Sequence, residues 1–132
     1  MDYYYQTKVQ GNFDDVVNKT IEALKLEGFG VLTQINLQET FKAKLDVDFP
    51  KYLILGACNP QFAYEALKLE NKVGTMLPCN LIVQELDNGP IEVSAVNPEK
   101  SMQAIKNPAL IGVAKEVSKK LNNVIKQLGN EK

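Results

Sequence analysis

Apolar positions along the chain follow two different periods, which together predict a mixture of strands and helices. Short runs that are aromatic, β-branched or apolar have the length of strands, at residues 3–9, 29–36, 52–57, 80–86 and 91–96. Longer stretches repeat an apolar residue every three or four positions, as the buried face of a helix does. They predict helices at residues 12–28, 38–45, 60–70, a short one from 97–98 and a long one from 107–108.

Local signals place the ends of these elements. Asn is a preferred helix N-cap and Pro suits the first helical position, so the Asn-Pro pairs at 59–60, 97–98 and 107–108 each predict a helix start. The Asp-Asn-Gly turn at 87–89 joins two strands, which must then be antiparallel. The continuous apolar run at 52–57 predicts a central, buried strand. We therefore expect an α+β fold, a two-layer sandwich with a mainly antiparallel sheet, in one domain of residues 1–132.

Composition narrows the classes of function. The chain has 132 residues, of which 45% are hydrophobic, so it is long enough to bury a sizeable core. It contains no histidine, which removes Ser-His-Asp and Cys-His catalysis and His-ligated zinc. It also contains no arginine, and the net charge is -1, so we expect no nucleic-acid partner. No apolar run reaches the roughly 20 residues that span a bilayer and the N-terminus resembles no export signal, so we expect a cytoplasmic protein without a membrane partner.

The two cysteines are the candidate chemistry. Cys58 directly precedes the helix start at Asn59, where the helix dipole lowers a thiol pKa and favours the reactive thiolate. Cys58 can equally be a small apolar residue that packs against Ala63, one turn into the helix. Cys79 begins the strand at 80–86, so antiparallel neighbouring strands would bring both cysteines to the same end of the sheet.

Three interpretations of this pair stay open. The cysteines can be structural, they can form a redox or ligand-binding thiol site, or they can bind a metal. Metal is the weakest, because two thiolates are half of a tetrahedral zinc shell and carboxylates or a second subunit would have to complete it. A thiol enzyme would lack a histidine base and would depend wholly on the helix end. The asparagines that follow the cysteines, Asn59 and Asn80, complete the candidate ligand-binding set with Cys58 and Cys79.

Several motifs are similar to a known family. The segments GFGVLTQIN, YLILGACNPQFAYEAL, GTMLPCNLIVQE and NPALIGVAKEVSKKL together resemble the bacterial and archaeal domain-of-unknown-function family 302. The resemblance covers nearly the whole chain. It implies a curved antiparallel sheet with helices on one side, as in the TATA-binding protein, but no established activity and no DNA binding. An acid is usual in the family where Gln34 and Asn36 stand, so a role that needs those acids is not expected here.

The sequence therefore leads to two hypotheses of different class. The first is a small cytoplasmic module that binds a small-molecule or metal ligand between the cysteine end of the sheet and the helix that starts at Asn59. Its contacts would be Cys58, Asn59, Cys79 and Asn80. The second is a homodimeric interaction protein whose cysteines are inert. Neither the identity of a cofactor nor an enzymatic activity follows from the residues.

Overall fold

A computed structural model describes residues 2–130 of the chain, and its elements follow the predicted order. The strands are β1 Tyr4–Val9, β2 Gly30–Asn36, β3 Tyr52–Cys58, β4 Cys79–Glu85 and β5 Ile91–Val96. The helices are α1 Phe13–Leu26, α2 Leu37–Leu45, α3 Pro60–Leu69, α4 Pro98–Ser101 and α5 Leu110–Asn130, with a short 3-10 helix at Val73–Met76. The α+β class is therefore confirmed.

All five strands form one antiparallel sheet in the order β1-β5-β4-β3-β2. The Asp-Asn-Gly turn joins β4 to β5, and Asn88 and Gly89 both adopt the positive φ that this tight turn requires. The strand at 52–57 was expected to be central. It is interior, since β2 and β4 flank it, but the middle position belongs to β4.

Helices α1 and α5 cover one face of the sheet. Strand residues alternate between faces, so each second residue of β3, β4 and β5 points into this layer, and most of these residues are buried. Helix α5 supplies the opposite side of the core, because its apolar residues recur at helical spacing. The core includes Leu55, Ala57, Leu81, Val83, Val93, Val16, Leu24, Leu121, Val124 and Leu128. Among the described residues, no helix is long and apolar enough to cross a membrane.

The three Asn-Pro pairs all begin helical or turn structure, but their asparagines make different contacts. Asn97 is fully buried, and its Oδ1 accepts from the Glu99 backbone N–H at 3.1 Å. Asn107 accepts in the same way from the Ala109 N–H at 3.1 Å. Asn59 occupies the N-cap position of α3 without capping it, since its Nδ2 donates instead to the Glu27 carbonyl at 3.3 Å. The expectation that Asn59 caps its helix through its side chain is therefore wrong.

Candidate functional site

Both cysteines lie at the same end of the sheet. Strands β3 and β4 are antiparallel, and Ala57 is paired with Cys79. Cys58 is one residue beyond that pair and lies opposite Gly30 of β2. Both thiols are free. The turn from β3 into α3 and the return through Pro78 into β4 therefore converge where the two sulfur-bearing residues stand.

The two thiols differ in environment. Cys79 is buried, with 8% of its surface exposed, and it belongs to the main core. Burial, and then the neighbouring Cys58, raises the pKa of the Cys79 thiol from 9.0 to about 11. Cys79 therefore carries its proton at neutral pH and contributes a neutral, weakly polar surface. Cys58 is partly exposed, so it is the thiol that a solute can reach.

The two candidate asparagines lie in different places. Asn59 lines the cavity beside the cysteines. Asn80 is the residue after Cys79 on the same strand, so it points to the other face of the sheet, where it is exposed. The structure therefore brings Cys58, Asn59 and Cys79 together and places Asn80 apart from them.

A small apolar cavity of about 30 Å³ lies at this junction. Strand ends, α3 and α5 enclose it, and most of its wall is aromatic or aliphatic. Its size suits about one water molecule, but apolar cavities of this kind stay dry. Residues that line it include Phe29, Phe62, Ala63, Leu77, Pro78 and Val117.

A larger groove adjoins this cavity, and sequence reasoning missed it. The groove lies between the 98–108 segment and the first turns of α5, and its volume is about 530 Å³. Pro98, Met102 and Ala114 line both spaces, so they form the wall between groove and cavity. One signal in the sequence could have pointed to it: Ile111 interrupts the polar side of α5, and it is 57% exposed in the groove.

The groove combines an apolar wall with few charges. Met102, Ile105, Leu110, Ile111 and Ala114 supply the apolar surface. The charged side chains that line it are Lys106, Lys115 and Glu99, which leaves one net positive charge. Within residues 2–130, no group of three or more Cys, Asp or Glu side chains is arranged to hold a metal ion.

Comparison with known proteins places the chain in a family. The sequence profile described as "Domain of unknown function DUF302" matches residues 5–128. The chain belongs to the DUF302 family. The DUF302 chain is also similar to a crystal structure of an uncharacterized conserved protein DUF302 from Bacillus stearothermophilus, with 31% sequence identity and a TM-score of 0.90. That alignment covers 97% of this chain and 99% of the other. A search of the curated proteins finds no match.

Membership in DUF302 confirms the family that the motifs suggested. Asn36, where the resemblance implied an acid, has a structural role in this DUF302 chain. It is the N-cap of α2, and its Oδ1 accepts from the Glu39 N–H at 3.0 Å. Asp is an equally good cap, so an acid at this position would preserve the helix start.

Proposed function

We propose that this DUF302 protein is a small-molecule-binding module. Its ligand would lie in the groove between the 98–108 segment and α5, with its inner end toward the cysteines. Binding pockets for small molecules usually have volumes of roughly 300–1,000 Å³, apolar walls and a few polar groups, and the groove of about 530 Å³ fits this description.

The observation that carries the proposal is the shared wall. Pro98, Met102 and Ala114 line both the groove and the cysteine cavity. Met102 is the flexible member of the three, because an unbranched thioether side chain rotates easily and fills irregular gaps. A rotation of Met102 would join the two spaces and extend a ligand's path to Cys79.

The residues of the site favour a particular chemistry. The apolar wall selects an apolar ligand, and Lys106 and Lys115 favour an acidic group at its exposed end. Cys79, neutral at physiological pH, would act as a soft apolar contact and not as a nucleophile. Cys58 is the accessible thiol and would contact the ligand from the edge of the cavity.

A fluorescent apolar anion, 1-anilinonaphthalene-8-sulfonate, tests the proposal directly. We expect the folded protein to bind it saturably, with circular dichroism confirming that the fold is intact. Ile111→Glu places a carboxylate in the groove at an exposed position and should weaken binding about ten-fold, as expected for about 1.4 kcal/mol. Leu26→Glu is the matched control, because Leu26 is a 72% exposed helix residue that does not line the groove.

A second measurement links the groove to the cysteines. Saturating probe should change the rate at which iodoacetamide alkylates Cys58 in the folded protein. Absence of probe binding, or equal loss in the Ile111→Glu and Leu26→Glu variants, would contradict a binding groove. An unchanged alkylation rate would contradict the connection to the cysteine end.

The second candidate function is a homodimeric interaction protein with inert cysteines. Edge strand β2 carries no charged residue, and four large apolar side chains between residues 32 and 47 are exposed: Leu32, Ile35, Leu45 and Val47. An uncharged edge strand with exposed apolar residues can pair with another chain. Sedimentation velocity on wild type and Leu32→Lys tests this candidate, which requires a dimer that the substitution weakens.

A further inference from the structure

The face of the sheet opposite α1 and α5 carries a second concave surface, independent of the groove. Its volume is about 450 Å³, and residues from β1, β3, β4 and β5 line it. Three of the chain's five tyrosines surround it, namely Tyr3, Tyr4 and Tyr52. The rings of Tyr3 and Tyr4 meet edge to face, with centroids 4.8 Å apart, so they form an aromatic corner.

Polar side chains share the floor between these rings with Ile82, Ala95 and Val96. Gln6, Asn80 and Ser94 line the surface, and within residues 2–130 their side chains make no hydrogen bond to the protein. Ser94 is only 7% exposed, so its hydroxyl lies at the bottom of the concavity. Gln84 and Glu92 form one hydrogen bond with each other, of 3.4 Å, and each keeps further capacity. The surface therefore presents closely spaced hydrogen-bond donors and acceptors, and most of this capacity is not used in hydrogen bonds within the protein.

The charge of the surface excludes some ligands. Glu92 is the single charged residue among those that line it in the described part of the chain. The carboxylate repels anions, and no lysine in the lining compensates it, so a phosphate-bearing ligand such as a nucleotide fits poorly. A purely apolar ligand fits poorly too, since it would cover amide and hydroxyl groups without replacing their hydrogen bonds to water.

We propose that this surface binds a neutral saccharide. A pyranose ring presents C–H groups on its faces, which pack against tyrosine rings, and hydroxyl groups around its rim. Those hydroxyls both donate and accept, which matches the mixture of amides on Gln6, Asn80 and Gln84, the Ser94 hydroxyl and the Glu92 carboxylate. The Glu92 carboxylate would accept the strongest hydrogen bond, because it is the ionised acceptor of the set.

The surrounding tyrosines support the same assignment. The Tyr52 hydroxyl is protonated at neutral pH, as tyrosine hydroxyls ordinarily are, so it can donate to a sugar oxygen. Asn80 was singled out in the sequence beside Cys79, and the alternation of β4 assigns it here instead. Asn80 is the one residue of the predicted site that does not line the cysteine cavity, and saccharide binding would give it a contact.

Tyrosine emission gives a direct readout, because the chain contains no tryptophan. Full-length protein is titrated with a panel of neutral sugars (glucose, galactose, maltose, cellobiose and trehalose), and saturation-transfer NMR confirms contact. We expect saturable binding of at least one sugar in the millimolar range. Glu92→Gln should weaken it about ten-fold, and Asn80→Ala should weaken it several-fold.

Tyr64→Ala is the matched control, because Tyr64 is a 65% exposed tyrosine on α3 and does not line this surface. Unchanged sugar affinity in that variant, together with loss in Glu92→Gln, supports the proposal. Three outcomes overturn it: no sugar in the panel binds saturably, Tyr64→Ala loses as much affinity as Glu92→Gln, or sedimentation shows a dimer that Asn80→Lys dissociates. The last outcome would mean that a second copy of the chain covers this face.

Discussion

At the scale of single residues, the two cysteines show how burial gives chemically identical groups different properties. Cys58 and Cys79 are separated by one step of strand register, yet one is partly exposed and the other belongs to the core. Sequence reasoning left the pair open between structural cysteines, a redox or ligand-binding thiol site and a metal site. Burial makes Cys79 a neutral core residue whose most measurable property is the dependence of stability on pH.

Stability should fall in the alkaline range because of Cys79. The unfolded thiol ionises near 9.0, but burial raises the pKa in the folded protein to about 11. Between these values the unfolded state releases a proton that the folded state keeps, so the free energy of unfolding decreases as pH rises. The full loss is about 3 kcal/mol, since the pKa values differ by about two units and each unit corresponds to about 1.4 kcal/mol.

Urea denaturation across this pH range, under reducing conditions, measures the effect. Cys79→Ala removes the titrating group, so the variant should lack this part of the alkaline loss at the cost of a small cavity. Cys58→Ala is the control and should keep most of the loss, because burial, and not Cys58, is the larger cause of the raised Cys79 pKa. Identical alkaline profiles for wild type and Cys79→Ala would show that Cys79 does not titrate differently in the two states.

At the scale of elements, the three Asn-Pro pairs show what a dipeptide can and cannot predict. The pairs at 59–60 and 97–98 begin helices as predicted, because Pro restricts φ, whereas Asn107-Pro108 begins a turn and α5 starts two residues later, at Leu110. Their side-chain contacts depend on distant partners. The Nδ2 of Asn97 donates to the Asp2 carbonyl at 3.1 Å and its Oδ1 accepts from Ser118 at 2.9 Å, whereas Asn107 donates to the Leu69 carbonyl at 2.8 Å.

These contacts predict a ranking of three alanine substitutions. Asn97→Ala removes a fully buried amide, leaves the Asp2 carbonyl without this donor and leaves the Ser118 hydroxyl with Tyr5 alone, so it should cost about 2–3 kcal/mol. Asn107→Ala loses the turn contact with the Ala109 N–H and the bond to the Leu69 carbonyl, both at exposed positions, and should cost about 1 kcal/mol. Asn59→Ala loses one long bond to Glu27 and should cost about 0.5 kcal/mol.

Chemical denaturation of the three variants measures the ranking, and each variant serves as a control for the others because the dipeptide is the same. Equal losses would mean that the contribution of these asparagines does not depend on the side-chain contacts that distinguish them. A larger loss for Asn59 than for Asn97 would contradict the contacts described above.

Comparing the sequence-based expectations with the structure shows which parts of the site could be predicted. The turn at 87–89 fixes β4 and β5 as antiparallel, and the apolar run at 52–57 marks an interior strand, so both could be predicted. The shared cysteine end was predicted only on the condition that β3 and β4 are antiparallel neighbours, and the structure meets that condition. The opposite orientation of Cys79 and Asn80 was also predictable, since neighbours on a strand face opposite sides. The groove could not be predicted, because its walls depend on how the 98–108 segment packs against α5.

At the scale of the whole molecule, buried residues fall into two clusters of unequal size. The larger one joins the sheet to α1 and α5. The smaller one contains three buried residues, Ala66, Val73 and Leu110, and it lies beside the groove and the cysteine cavity. Less buried apolar surface means less free energy opposing local opening, so the candidate ligand site belongs to the less stable part of the protein.

Native-state hydrogen exchange should reveal this division. Helices α1 and α3 make a matched pair, because α1 buries Val16, Thr20, Ala23 and Leu24 whereas α3 buries only Ala66. We expect amides of α3 and of the 98–108 segment to exchange at least about ten-fold faster than those of α1 and β4, which corresponds to a difference of about 1.4 kcal/mol in opening free energy.

Saturating 1-anilinonaphthalene-8-sulfonate should slow exchange in the 98–108 segment and leave β1 unchanged, because that segment forms one wall of the groove. Equal protection of α1 and α3 would show that the protein opens as one unit, and the smaller cluster would then be as stable as the core beneath the sheet.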